Sequence, residues 1–359
     1  MFIVVAALVI QSLQPLRTMT VVPHQDGIGH FGYARDAQYE YLSTPRGLYR
    51  ARRVATDVLE LTAFANEPVS VIASDGETLY AGLGLLNHAY YDTHSFFRSR
   101  DRGATFTPID DGLHDCSLQQ FGEPCRWLVS RQIELEPGRI FIEASGNVLV
   151  SGDDGATWPR LFGVSSTGRP APQTCPVTFE TVGRSMLLGG ECPLDFGWIG
   201  SGTLREDRLG WDVEPLRFDL PIENRNVQFI RHVGDGVVYA SIEGALLKST
   251  DGGTSWRSVI HYPLSEAERY PYAAHFLVTP RVLVLGGFDK KNITGYLAYS
   301  TDGGESWTDA TALVGDATVE LLAEDADGRL LVGLLEGDQF TLAEMVLRER
   351  KGKRRAARP

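Results

Sequence analysis

Cysteine is scarce in this chain, with four in 359 residues; no two of them form a Cys-x-x-Cys pair, and only Cys116 has a histidine nearby, His114. That spacing offers zinc no tetrahedral ligand set. The cysteines fall into two local groups, Cys116 with Cys125 and Cys175 with Cys192, which read as two disulfides of an exported protein. The N-terminal apolar run, Phe2 to Ile10, is too short to cross a bilayer as a helix. Positive charge is also in deficit: 34 Lys and Arg against 46 Asp and Glu give a net charge of −12. An acidic body has no broad grip on nucleic acid. The segment 348–359 carries seven basic residues and one acidic, a contribution of +6 that leaves the remainder at −18. It reads as a solvated, disordered tail. Asp-x-Asp-x-Asp loops with a distal Glu are absent, so no calcium loop is expected, and no metal or cofactor is called for.

What the chain has in quantity is one phrase written four times. Ser99-Arg-Asp101-Arg-Gly103-Ala-Thr105-Phe106 is followed by Ser151-Gly-Asp153-Asp-Gly155-Ala-Thr157-Trp158. Ser249-Thr-Asp251-Gly-Gly253-Thr-Ser255-Trp256 and Ser300-Thr-Asp302-Gly-Gly304-Glu-Ser306-Trp307 complete the set. The Asp-to-Asp steps are 52, 98 and 51 residues, so the middle interval is close to two periods. A period near 50 with short strands between turns signals a radial repeat, the β-propeller. Within the phrase each residue has a structural task. The Asp carboxylate closes a turn on backbone N–H groups one to three residues on. The Gly supplies a left-handed backbone. The terminal Trp158, Trp256, Trp307 or Phe106 packs between neighbouring sheets.

These residues resemble the Asp-box (BNR) repeat of sialidases, sortilin-type receptor ectodomains, xyloglucanases and photosystem II assembly factors. The resemblance implies a turn between the third and fourth strands of a blade, on the face away from the active site. Unrelated activities share the repeat, so it speaks for fold and little for function.

Aligning on the boxes gives seven units of four antiparallel strands: near Gly47–Arg50, then 69–109, 127–161, 177–216, 227–260, 272–310 and 319–347. The fourth has a degraded box, with Gly202, Asp207, Gly210 and Trp211 in a longer turn. The last has no box, and Thr18 to Val22 is expected to supply its outer strand, so that one sheet holds both ends of the chain and no edge stays free. A six-bladed ring of the sialidase kind is the alternative. Residues 18–347 are read as a single all-β domain. Residues 1–17 are either an export segment or a leading strand of the last blade: Phe2 to Ile10 has the length of a signal core, but no basic residue precedes it and no clear cleavage site follows.

The long connections fall on the face opposite the boxes, and loops that a ring does not need for closure tend to carry function. They hold His88, Tyr90, Tyr91, Asp92 and His94; His114, Asp115, Arg126 and Trp127; Tyr262, Tyr270, Tyr272 and His275; and Asp289, Lys290 and Lys291. Asn292-Ile-Thr294, in one such loop, matches a glycosylation sequon. Three functions compete for this face. The first is an exported, monomeric, non-catalytic binding propeller that recognises a protein or glycan with Tyr90, Tyr91, Asp92, Trp127, Tyr270, Tyr272 and His275. The second is a sialidase-type glycosidase, which the resemblance would furnish with three arginines, a Tyr–Glu nucleophile pair and an Asp acid. Arg131 and Arg231 lie on expected inner strands, but the Phe/Tyr-Arg-Ile-Pro motif is missing and Tyr49-Arg50-Ala51-Arg52 falls on a third strand. The third is another hydrolase or lyase working through paired carboxylates drawn from Glu134, Glu180 and Glu191.

Overall fold

The structure is a computed structural model that describes residues 8–20, 31–52, 60–85, 90–115, 125–161, 176–190, 197–204, 209–210, 226–261, 271–289 and 294–349. Within them the chain forms a seven-bladed propeller of antiparallel sheets. Blade 1 consists of Gly32–Arg35, Tyr39–Thr44, Gly47–Arg52 and Glu60–Ala63, and blade 2 of Val69–Ser74, Leu79–Leu83, Phe96–Ser99 and Thr107–Pro108. Blade 3 has Ser130–Glu136, Arg139–Ala144 and Asn147–Ser151, with a lone Leu149–Arg160 bridge where a fourth strand would run. Blade 4 is Pro176–Val182, Ser185–Gly190, Trp198–Leu204 and Leu209–Gly210; blade 5 is Val227–Gly234, Val237–Ile242, Ala245–Ser249 and Arg257–His261. Blade 6 is Pro271–Val278, Leu283–Asp289, Thr294–Ser300 and Thr308–Asp309. Blade 7 is Thr318–Glu324, Leu330–Glu336 and Gln339–Glu349, closed on the outside by Leu8–Thr20.

The closing strand therefore lies earlier than Thr18 to Val22. Leu8 pairs with Glu349 and Thr20 with Gln339, and Ile10 is buried against blade 6 residues such as Val282 and Val284. The apolar run thus ends inside a sheet. Pro15 is tolerated because this is an edge strand, and the register shifts between Pro15 and Arg17. Among the described residues no helix is long and apolar enough to cross a membrane.

Period-two alternation sends the two faces of every blade into different neighbours, and the apolar residues gather into seven clusters, one at each junction between blades. The boxes fasten these junctions on one face. In all four, the Asp Oδ1 accepts from the backbone N–H four residues on, at 2.8 to 2.9 Å. Its Oδ2 accepts the Thr or Ser hydroxyl at 2.5 to 2.6 Å, and the leading Ser hydroxyl accepts from the box Gly N–H. The reach of the carboxylate is four residues, longer than the one to three expected, because two consecutive left-handed residues loop the chain back over it. Arg102 and Gly103 have φ of 58° and 79°, and Asp154 and Gly155 have 61° and 85°.

A second device appears where blades 1, 2 and 5 precede a boxed blade. A Tyr on the second strand stands directly across from a basic residue on the third: Tyr41 and Arg50, Tyr80 and Arg98, Tyr239 and Lys248. The basic side chain donates to the carbonyl of the residue after the next blade's box Asp, as Arg50 to Arg102, Arg98 to Asp154 and Lys248 to Gly303. Lys248 also bonds Glu305 at 2.6 Å, and the Tyr239 hydroxyl donates to Gly303 at 2.6 Å. Lys248→Met, which keeps the buried stem and removes these bonds, is expected to cost about 1–2 kcal/mol in urea denaturation. Combined with Tyr239→Phe the loss should be less than additive, because both donors share the Gly303 carbonyl. An unchanged midpoint for Lys248→Met would show the clasp to be idle.

Candidate functional site

The box aspartates lie on four different blades, each closed by its own turn, and do not meet. The Thr105 hydroxyl and amide and the Ser99 hydroxyl hold Asp101 down to about 2. Thr157 with Ser151 does the same for Asp153, and Ser255 with Ser249 for Asp251. For Asp302, slight burial opposes the effect, but the bonds from Ser306 and Ser300 prevail and the value is again about 2. The boxes are thus fully used by the fold.

The inner strands face the channel, and their registers align. Ala34, Ala73, Glu134, Glu180, Arg231, Leu277 and Ala323 occupy one level, opposite Tyr41, Tyr80, Phe141, Leu187, Tyr239, Val284 and Leu331 of the second strands. Blades 3 to 5 therefore place Glu, Glu and Arg side by side, while blades 7, 1 and 2 offer only alanine. Register shifts at the start of six inner strands keep this level aligned. On the alanine side the channel widens at the box face into a cavity of about 770 Å³, rimmed by Arg35, Asp36, Asp75 and Glu324.

The charged side is stitched from blade to blade. Gln132 donates through its amide nitrogen to the Phe179 carbonyl at 2.6 Å and to Glu134 at 2.9 Å, and its oxygen accepts the Phe179 N–H at 3.2 Å. Glu134 accepts the Thr181 N–H and hydroxyl, and Glu180 accepts the His232 N–H at 2.8 Å. Arg231 stands 3.6 Å from Glu180 and donates to the Ile230 carbonyl, with its side chain 40% exposed to the channel. Burial pushes the pair upward, Glu134 further by repulsion from Glu180, and Arg231 only partly relieves it.

Arg131 sits at the register shift of blade 3, and its buried Nε has no hydrogen-bond partner among the described residues. It lies beside Glu143, which is fully buried and raised to about 8 by that burial, against the pull of Arg131. Arg131 and Arg231 thus attend different carboxylates, and Arg50 is spent in the clasp. His275 lies on an inner strand of blade 6, one residue past its register shift, and Tyr272 packs on Phe288 with ring centroids 5.1 Å apart.

A second cluster caps the opposite face between blades 2 and 3. Tyr90–Tyr91, Arg126–Leu128 and His114–Asp115 form a small accessory sheet outside the blades. Trp127 is paired with Tyr91 on one side and His114 on the other. Leu128, the next residue, turns into the core, so Trp127 faces away from it. The Trp127 ring lies 5.3 Å from His94 and 6.5 Å from His114. His94, half-exposed, bonds through Nδ1 at 2.7 Å to Asp110, whose side chain is 1% exposed and also accepts the Ser95 N–H. The Tyr91 hydroxyl donates to Glu67, and Asp92 is exposed beside it. The buried Asp110 was the member that sequence reading missed, since its pairing with His94 spans a strand and a box.

The structure thus gathers Glu134, Glu180 and Arg231 in the channel and Tyr91, Asp92 and Trp127 on the accessory sheet. It keeps Tyr272 and His275 apart from both, on blade 6. Tyr270, His88, Glu191, Lys290, Lys291, Cys116, Cys175, Cys192, Asp207, Trp211 and the segments 1–7 and 350–359 lie outside the described residues, so both cysteine pairings do as well.

No family model matches the chain, and no curated protein does. Solved structures do. YCF48 from Cyanidioschyzon merolae is 15% identical, covering 94% of this chain and 98% of its own, with a TM-score of 0.59. YCF48 bound to D1 peptide is 13% identical over the same shares, with a TM-score of 0.60. The GH74 xyloglucanase from Xanthomonas campestris is 19% identical, covering 89% of this chain and 52% of its own, with a TM-score of 0.58. At such identities the likeness is one of fold, the seven-bladed β-propeller, and it embraces a peptide binder and an enzyme alike.

Proposed function

We propose that this protein is an exported, non-catalytic binding propeller that recognises another protein through the face opposite the boxes. The observation that carries the reading is the accessory sheet. It is an addition the ring does not need for closure, and it displays Trp127 between Tyr91 and His114 over a locked His94–Asp110 pair. Rigid aromatic anchors with adjacent polar groups are what protein interfaces concentrate. A propeller of the same fold is known bound to a peptide. Export and disulfides at Cys116–Cys125 and Cys175–Cys192 belong to this reading, and non-reducing peptide mapping of secreted material tests them.

The channel supplies the contrast. Its carboxyls bond to the inner-strand backbone of the next blade and to each other, an arrangement that serves the ring. The test compares Trp127→Ala with Glu134→Gln and the box-face variant Arg100→Ala in affinity capture from the source organism. A partner lost only with Trp127→Ala is the expected result. Turnover of fluorogenic xyloglucan or sialoside substrates that disappears with Glu134→Gln would overturn it in favour of an enzyme.

A further inference from the structure

The accessory sheet carries one more message, in the charges that surround its aromatic row. We infer that the row is a recognition site for a cationic side chain, arginine or lysine, presented by a partner peptide. This rests on the reading that the face binds a protein and specifies the chemistry of what it binds.

Three aromatic rings share one face because the register places His114, Trp127 and Tyr91 directly across from one another on neighbouring strands. His114 is exposed, and Trp127 and Tyr91 are half-buried, so the row is both anchored and reachable. Its support is stiff. Asp110 holds the His94 ring through Nδ1 while also capping the Ser95 N–H, and His94 leans on Trp127 at 5.3 Å. Carboxylates adjoin the row: Glu67 engages the Tyr91 hydroxyl, Asp92 follows Tyr91 in the chain, and both are exposed. The sheet's own Arg126 is set opposite Asp115 in the register. A guanidinium over the face of Trp or Tyr with a carboxylate at its edge combines cation–π attraction with a charge-assisted hydrogen bond. A neutral sugar would stack on Trp127 but gain nothing from the carboxylate charges. The protein's net charge of −12 favours approach of a cation as well.

The test uses the full chain and two fluorescent blocked peptides, Gly-Arg-Gly-Arg-Gly and the same sequence with citrulline for arginine, which keeps shape and removes charge. In anisotropy titrations at 50 mM NaCl the arginine peptide is expected to bind about tenfold tighter than the citrulline peptide. Its affinity should fall clearly at 500 mM NaCl. Asp92→Asn, at an exposed position, should weaken it about threefold, and Trp127→Ala about tenfold or more. Trp127→Phe, which preserves an apolar ring, should lose less, and circular dichroism confirms that each variant is folded. Equal affinity of the two peptides, binding of neither, or indifference to both Asp92→Asn and Trp127→Ala would each overturn the inference. A xyloglucan oligosaccharide that displaces the arginine peptide and binds independently of salt would overturn it in favour of a glycan. If Trp127→Ala still abolishes capture of the natural partner while charge makes no difference, only this inference falls. If capture is untouched, the broader reading falls with it.

Discussion

Gly304→Ala is expected to destabilise the propeller by about 3 kcal/mol or more, whereas Gly303→Ala, one residue away, should cost about 1 kcal/mol. Both glycines are left-handed, with φ of 81° and 68°. The difference lies in what a methyl group would meet. At Gly303 it enters open space, and the equivalent positions in two other boxes are already occupied by Arg102 and Asp154. At Gly304 it lands on the Tyr239 hydroxyl, which donates to Gly303 and cannot retreat without breaking the clasp between blades 5 and 6. The same contrast recurs at Gly155, whose added carbon would stand 2.7 Å from Ile109 of blade 2, and at Gly253, 2.8 Å from Leu187 of blade 4. Urea denaturation of the two alanine variants decides the matter. Equal midpoints would mean that the box glycine is needed for its backbone angle alone.

Glu143→Gln should leave stability nearly unchanged at pH 5 and raise it by several kcal/mol at pH 9, on the order of 1.4 kcal/mol per unit separating the folded and unfolded values. Glu143 is fully buried, and burial raises its carboxyl to about 8 although Arg131 stands nearby. A carboxyl whose folded value lies above its unfolded value keeps more protons in the native state. Its contribution is therefore complete below the ordinary carboxylate range and is lost as pH rises toward 8. Gln retains an acceptor for the Gly146 N–H and never ionises. Glu134 and Glu180 are shifted the same way by burial, Glu134 also by repulsion from Glu180, so the pair steepens the wild-type decline. The boxes act in the opposite direction: their aspartates, held to about 2, withdraw support as pH falls from the ordinary Asp range toward 2. Stability should therefore peak in mildly acidic solution. A wild-type profile that stays flat between pH 5 and 9 would show that Glu143 is not held protonated.

The ring was legible because its signals are local. Each box announces a turn by residue type, and the distance between boxes counts the blades, including the one whose box has decayed. The placement of Arg231, Glu134 and Glu180 on inner strands also followed from alternation. That the two glutamates touch did not, because contact depends on the stagger between neighbouring sheets, which no single blade encodes. The Tyr–basic clasp escaped for the same reason: Tyr239 and Lys248 look like ordinary strand residues until the next blade's Gly303 is placed beside them. The accessory sheet was invisible for a different one. Strands such as Tyr90–Tyr91 and His114–Asp115 are two residues long, too short to show any period. The closing strand was placed late because Pro15 reads as a break, whereas an outer edge accepts it.

Joining Leu8–Thr20 to Gln339–Glu349 sets Leu8 directly across from Glu349. Tension applied at both ends of the propeller would therefore open that seam one rung at a time, like a zip, instead of shearing all rungs at once. Seven apolar junctions hold the circle together, yet its mechanical weak point is fixed in advance, at the one blade among those described that is built from residues more than three hundred positions apart.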